Sequence, residues 1–471
     1  MIDLTPEQFR ELGYRAVDLV AEQLAAIHEA PVRRPTGDLR DQIMSQPLPE
    51  AGRSPSDVLE DAANRLLPYP MGNNSPRFFA WVNSPAAPIA ILAELLAAGV
   101  NPSVAGGDHA ATYIEHAVLR WLKELMAFPM DSGSLLCSGG SVANLIALGV
   151  MRHVRTEGQI RAKGFYSESA PIVVYTSTQG HSCIQKAVEI LGIGSEYLRK
   201  LPVDSDYCLD VERLRAQIAA DRRQGLNPVC VAASAGTVNT GAIDPLNEIA
   251  DLCAEENLWF HVDGAYGGFG ILAEQTTGLY VGIERADSIA IDPHKWLYIP
   301  VECGCALVRN AQAMRDAFSL IPPYLRDDTS LPWFSEFGIQ QTRGFKALKL
   351  WMALQQIGEQ GYRESISRDI ALAQALQKRI QERDDFEIVA AGPLSVTCFR
   401  YAPPGVNDLD TLNHQLVQIV QQEGQVFITS TELGGQLALR ACIVNFRTTE
   451  SDLDTLLDVL AEAGQRVLAK I

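Results

Sequence analysis

Ser288-Ile289-Ala290-Ile291-Asp292-Pro293-His294-Lys295-Trp296 is the stretch on which the fold turns. Its first four residues form an apolar run of strand length and read as a buried strand. A lysine at the end of such a strand, beside histidine and tryptophan, is in an expensive place for an amine unless it is used. Held in a tight pocket, an amine loses its proton more readily and can attack an aldehyde.

A second stretch upstream gives that lysine a partner. His261-Val262-Asp263-Gly264-Ala265-Tyr266 also follows a strand-like run. The common aldehyde cofactor is pyridoxal 5'-phosphate, whose lysine is usually matched by an acid at the pyridine nitrogen. Asp263 is the candidate acid. A carboxylate at a buried strand end needs a partner, and a protonated pyridine nitrogen would be one. It would keep the ring cationic and able to withdraw electrons from a substrate's α-carbon. The competing reading is a salt bridge to a core arginine.

Around these two stretches, strand-like runs occur at Pro171 to Tyr175, Pro228 to Ala233, Leu258 to Val262, Ser288 to Ile291 and Cys305 to Val308. Helical patterns fall between them at Cys183 to Leu191, Asp210 to Arg223 and Asp244 to Glu256. The alternation predicts an α/β fold with a mostly parallel sheet covered on both faces. Ligands of such sheets sit beyond the carboxyl ends of the strands, and Asp263 and Lys295 both fall there.

The flanks read differently. Thr5-Pro6-Glu7-Gln8 is a helix start with a capping box, and Ser54-Pro55-Ser56-Asp57 repeats the signal. Residues 1–75 therefore read as a helical arm, residues 76–345 as the large domain, and residues 346–471 as a smaller C-terminal α/β domain. Helices are expected at Phe345 to Ile357, Ser365 to Arg383, Leu409 to Glu423 and Asp452 to Leu468. Strands are expected at Leu394 to Arg400 and within Leu437 to Phe446.

Three more motifs carry candidate chemistry. Ser138-Gly139-Gly140-Ser141 opens a helical run, Val142 to Met151, and small residues at a helix start suit a phosphate. An ordinary turn explains the motif equally well. His181, in Gln179-Gly180-His181-Ser182, could stack on a pyridine ring or be an incidental loop residue. Thr237, after Ala235-Gly236, could bond the cofactor's edge. Dinucleotide-binding and P-loop patterns are absent.

Bulk properties narrow the class. The chain has 471 residues, 47% hydrophobic and 20% charged, with a formal net charge of -18. That charge argues against nucleic-acid or anionic-membrane partners. The most apolar helical run, Ala86 to Val100, is short of the ~20 residues a membrane span needs and carries Glu94. No secretory signal pattern opens the sequence. Nine cysteines without a Cys-x-x-Cys motif suggest reduced thiols in a cytoplasmic protein, and Cys303-Gly304-Cys305 is spaced too tightly for a zinc pair, so no metal is expected.

Taken jointly, the sequence resembles the group II pyridoxal-phosphate-dependent decarboxylases, which include aromatic-amino-acid and glutamate decarboxylases. The likeness rests on Pro76-Arg77-Phe78-Phe79-Ala80, Ser138 to Asn144, His181-Ser182, Gly236-Thr237, His261 to Tyr266, Ala286-Asp287-Ser288, Pro293 to Trp296 and Arg343 to Lys349, in the family's order. The resemblance implies a fold-type-I enzyme, a homodimer with N-terminal arms wrapped around the partner, and pyridoxal 5'-phosphate as cofactor. It implies that Lys295 bonds the cofactor's aldehyde and Asp263 its pyridine nitrogen. His181 would stack on the ring and serve as an acid, with Ala265 on the other face. Gly140, Ser141 and His294 would serve the phosphate. Phe79, Trp81, His109 and Phe334 are the substrate-side candidates.

Two departures from the family pattern bear on outcome. In animal and plant relatives a mobile loop carries a tyrosine that protonates the carbanion; here Phe334 takes that place, and the segment Tyr324 to Phe334 is shorter. Some plant relatives with phenylalanine there make aldehydes by oxidative deamination, while other bacterial-type relatives without the tyrosine still decarboxylate. The segment Asn101 to His109 is small and polar where aromatic decarboxylases place bulky side chains, and His109 has a simpler reading as a surface partner of Asp108. The main expectation is an amino-acid decarboxylase that releases carbon dioxide and an amine. An aldehyde synthase on the same scaffold and a non-catalytic homologue are the alternatives.

Overall fold

The computed structural model describes residues 3–167, 170–320 and 331–469. Its centre is a seven-stranded sheet of β1 (Gly133–Cys137), β2 (Ile172–Ser177), β3 (Leu198–Leu201), β4 (Asn227–Ser234), β5 (Trp259–Gly264), β6 (Ser288–Ile291) and β7 (Gly304–Val308). The spatial order is β1-β7-β6-β5-β4-β2-β3. Strands β3, β2, β4, β5 and β6 pair in parallel, and β7 lies antiparallel between β6 and β1. This is the expected α/β architecture. Helices cover both faces, so the central strands are buried along their length and read as near-continuous apolar runs. The helix Gly140–Arg155 crosses β5, β6 and β7, while Val211–Arg223 and Leu246–Glu255 lie against β4.

A second, antiparallel sheet contains β8 (Phe386–Ala391), β9 (Val396–Tyr401), β10 (Thr429–Leu433) and β11 (Gln436–Cys442), in the order β10-β11-β9-β8. The helices Leu409–Glu423 and Glu450–Leu468 pack on it. The strands that sequence patterning did not pick out are β1, β3, β8 and β10, and each is the edge strand of its sheet. An edge strand is short or half exposed, so it lacks the apolar run that marks a central one. Leu198-Arg199-Lys200-Leu201 and Thr429-Ser430-Thr431-Glu432-Leu433 show this directly.

The helical segment Ala347–Gln381 begins just past the expected 345/346 boundary and is broken at Gly358, whose φ of 70° suits glycine. Ala347, Leu350, Ala353, Ile366 and Ile370 belong to the core around the larger sheet. Leu372, Leu376 and Ile380 of the same helix belong to the core around the smaller one. The stretch after the break at Gly358 therefore contributes to both cores.

The N-terminal helices form as their caps predict. Thr5 completes its capping box with Gln8 at the start of Pro6–Ala25, and Ser54 caps Pro55–Leu66. Arg15 joins the two through Glu60 at 2.6 Å. Neither helix buries a residue within the chain. Among the described residues, no helix is long and apolar enough to cross a membrane.

Candidate active site

The carboxyl ends of β1, β2, β4, β5 and β6 meet at one edge of the large sheet, and the loops leaving them line a cleft. Its inner part, about 370 Å³, is bounded by Ser138, Gly140, Ser141, His181, Thr237, Asp263, Ala265, His294 and Lys295, among others. Residues from five loops far apart in sequence thus converge at a single place. Each of these cofactor-side candidates named from sequence lines that space.

The floor is made by β5. Its last residues carry Asp263, and the Oδ1 atom accepts the backbone N–H of Ala265 at 3.1 Å. The chain turns there, which sets Ala265 against the N-terminus of the helix Gly140–Arg155. A Cβ on Gly140 would stand 2.8 Å from both the Ala265 Cβ and Asp292 Oδ2. Only glycine allows this approach, and it leaves free helix N–H groups facing the cleft. Thr237 is fixed by its own turn: its Oγ1 accepts from Ala242 N at 3.1 Å and lies 2.8 Å from Thr240 Oγ1.

Lys295 sits in the short helix Pro293–Trp296 after β6. Its Nζ is 3.0 Å from Asp292 Oδ2. Among the described residues, the buried Asp292 Oδ1 has no hydrogen-bond partner. Sequence reading passed over Asp292, although it stands within the deciding stretch. The lysine's turn is held from behind: Trp296 Nε1 and the Tyr298 hydroxyl donate to Asp369 Oδ2 at 3.0 and 2.8 Å. Trp296 also stacks on Tyr266, with ring centroids 5.3 Å apart. His294 Nδ1 lies 2.8 Å from the Cys303 carbonyl oxygen, and burial lowers its pKa.

His181 caps the helix Ser182–Ile190. Its Nδ1 accepts the Cys183 N–H at 3.2 Å. Burial lowers its pKa, with the charge of Asp263 opposing. The neutral ring, accepting at Nδ1, carries its proton on Nε2. His181 is thus an imidazole with a transferable proton on its free nitrogen.

The outer part of the cleft, about 520 Å³, adds Trp81, Asn83, Asn239, Gln421, Thr429, Ser430, Thr431 and Arg440. Arg440 was missed from sequence. It is 4% exposed and lies in β11. Its Nε donates to Val238 O at 2.7 Å and its Nη1 to Trp81 O at 3.0 Å, while Nη2 is buried. The signal was available: an arginine in a buried strand is rare unless paired.

The substrate-side candidates divide. Trp81 lines the cleft, with its backbone at a φ of 50°. Phe79 does not. Its backbone N and O pair with Phe427 O and Cys442 N at 2.8 and 2.9 Å, which buries the ring in the smaller core. Phe334 is also absent from the cleft: it is 2% exposed, 4.5 Å from the His116 ring and under the Arg343 guanidinium. His109 precedes the helix Ala110–Leu125 and lies outside the cleft of its own chain. Its Nε2 meets Thr112 Oγ1 at 3.3 Å, and Asp108 instead takes the Tyr113 hydroxyl at 2.5 Å. Most of the segment Tyr324 to Phe334 lies outside the described residues.

An amine at one strand end, an acid at the next, a ring-bearing wall and a glycine-backed helix start fit a flat, phosphorylated pyridine aldehyde. The fold and cleft together are those of a fold-type-I pyridoxal-phosphate enzyme. Residues 37–402 match the pyridoxal-dependent decarboxylase conserved domain. The chain belongs to that family. It is 35% identical to aromatic-L-amino-acid decarboxylase of Bacillus atrophaeus, over 96% of this chain and 94% of the relative. It is 29% identical to phenylacetaldehyde synthase of a Rosa hybrid cultivar, over 99% and 96%. A crystal structure of Oryza sativa TDC with PLP and tryptamine superposes with a TM-score of 0.92 at 26% identity, covering 99% of both chains. The protein is a pyridoxal-phosphate-dependent carboxy-lyase acting on an amino acid.

Proposed function

We propose that Lys295 bonds the cofactor's aldehyde, that Asp263 faces its pyridine nitrogen, and that the amine product is released after protonation from His181. The observation that carries this reading is the convergence of these side chains, with Gly140, on one sheet edge. Bound there, the cofactor supplies an electron sink for the pair left at the α-carbon when carbon dioxide departs. Gly140, Ser141 and His294 would hold the phosphate, Thr237 the ring's edge, and Ala265 the face opposite His181. Arg440, which lines the outer cleft with Trp81, would draw a carboxylate of the substrate by its charge. His181 Nε2 holds the proton on the same side.

The outer wall supports a substrate with polar reach: Asn83, Asn239, Gln421 and the hydroxyls of Thr429, Ser430 and Thr431 line it with Trp81. Assembly as a homodimer is supported by apolar surface the chain leaves open. Leu92, Leu95, Leu96 and Val100 on one helix are exposed, as are Phe9, Tyr14, Val58 and Leu66 on the arm. Sedimentation should give the mass of two chains. A cytoplasmic setting is supported by nine free thiols, and expression with fractionation would check it.

The aldehyde-forming alternative rests on Phe334, which does not line the cleft of its own chain. The deciding experiment incubates holoenzyme with a panel of L-amino acids, with and without oxygen. Equal yields of carbon dioxide and amine, indifferent to oxygen, are expected. Stoichiometric peroxide and ammonia would overturn the reading.

A further inference from the structure

Behind the cleft, a line of buried polar side chains runs along one face of the sheet, from the amino end of β5 to Asp263. Trp259 Nε1 donates to Ser288 Oγ at 2.8 Å. Ser288 Oγ lies 2.9 Å from His261 Nδ1, and His261 Nε2 lies 2.6 Å from Asn144 Oδ1. Asn144 Nδ2 is 3.3 Å from Cys183 Sγ, which is 3.7 Å from Asp263 Oδ2. Trp259, Ser288, His261, Asn144 and Cys183 are all buried.

The direction of every bond follows from one fixed point. The Gly140 carbonyl can only accept, and it lies 2.8 Å from Asn144 Nδ2. The amide therefore turns its NH2 toward Gly140 and Cys183 and its oxygen toward His261. His261 must then donate from Nε2. Burial pushes its pKa down to about 4, so the ring is neutral and Nδ1 accepts. Ser288 consequently donates to Nδ1 while accepting from Trp259. Burial and the neighbouring Asp263 both raise the Cys183 pKa, so the thiol keeps its proton and donates it toward the carboxylate. Every donor in the line points toward Asp263.

Hydrogen bonds aligned head to tail polarise one another, and a donor at the end of such a line holds the carboxylate oxygen it reaches. We propose that the line Trp259–Ser288–His261–Asn144–Cys183 is a positioning relay that fixes Asp263 where its carboxylate keeps the proton on the cofactor's pyridine nitrogen. This rests on the reading that Asp263 faces that nitrogen. Asn144 also holds the Gly140 carbonyl, so the same amide ties the acid's setting to the helix start at the phosphate end.

The test uses holoenzyme reconstituted with pyridoxal phosphate labelled with 15N in the ring. The nitrogen resonance reports its protonation without reference to turnover. Cys183→Ala should move it toward the unprotonated value and lower kcat roughly five- to tenfold, the scale of one lost hydrogen bond, with KM unchanged. Cys183→Ser, which restores a donor, should return both to near the parent. Ser288→Ala, three links further back, should shift the resonance in the same sense by less. An unshifted resonance in Cys183→Ala overturns the relay, and so does a shift in that variant with none in Ser288→Ala. Asp263→Asn separates the two claims. If it leaves the resonance unmoved, the placement of Asp263 itself is wrong; if it alone moves the resonance, only the relay fails.

Discussion

The floor of the cleft and its outer wall are made in different ways. Floor residues sit within a few positions of strand ends in one parallel sheet: Asp263 closes β5, Lys295 follows β6, His181 follows β2 and Gly140 follows β1. Each is placed by its own strand, so a short motif is enough to put it at the edge. The wall joins Trp81, Asn239, Thr431 and Arg440, from segments that meet only when the smaller sheet packs on the larger. Asn239 shows the seam: its side chain spans from Gln179 to Thr431. Cofactor chemistry here is local in sequence, and substrate recognition depends on packing between distant segments.

If that contrast is right, floor substitutions should abolish or slow chemistry, and wall substitutions should change selection. Lys295→Ala carries the largest effect. Turnover should be lost, and borohydride reduction of the parent should leave a pyridoxyl group on Lys295 by peptide mass analysis. A label on another lysine would remove the floor's central member. Asp263→Asn comes next. Loss of a preorganised charge at the reacting system costs about 3–4 kcal/mol, a factor of roughly 10² to 10³ in kcat. Near-parent turnover would make Asp263 a structural acid.

Arg440→Gln tests the wall. The guanidinium lines the outer cleft, so a substrate carboxylate there would gain a charge-assisted interaction. Losing such an interaction costs about 1.5–3 kcal/mol. KM should rise roughly 10- to 100-fold with kcat affected less. A fall in kcat at constant KM would place Arg440 with the floor and blur the distinction.

Asp369 couples the floor to the second body, because it sits on the shared helix and holds Trp296 and Tyr298 beneath Lys295. Burial pushes its carboxyl pKa up to about 7. A pKa raised above the unfolded value means stability is full below about pH 4 and is lost as pH rises through about 7. Asp369→Asn keeps an oxygen for both donors and cannot ionise. Its melting temperature should fall less than the parent's between pH 5 and pH 8. Parallel curves would show that another group sets the slope.

The same contrast explains what was legible beforehand. Central strands announced themselves through β5 and β6, and with them Asp263 and Lys295. Edge strands did not: Thr429-Ser430-Thr431 reads as a polar loop, yet β10 carries it to the cleft. Phe79 was read as facing substrate because the family resemblance at Pro76 to Ala80 implied it. Strand-like pairing with Phe427 and Cys442 turns its ring inward. Asn144 and Cys183 lay inside quoted motifs or beside them, but nothing in their spacing reveals a line of donors that closes between the sheet and the helices covering it.

Phe334→Tyr should have the smallest effect, and it probes the boundary between floor and wall most sharply. Position alone suggested that a missing hydroxyl here would leave the carbanion short of a proton. The ring instead lies 4.5 Å from His116 and 5.2 Å from the Arg343 guanidinium carbon. Arg343 is itself fixed by Glu115 and by the Val104 carbonyl. A tyrosine hydroxyl would therefore extend within this packed cluster, away from His181 and Lys295. The amine-to-peroxide ratio should not change, and stability should shift by about 1 kcal/mol. A ratio that moves toward amine would mean that this position reaches a reacting centre. Because the cleft of its own chain is closed to it, that centre would have to belong to a second copy, and the division between floor and wall would then have to be drawn across two chains.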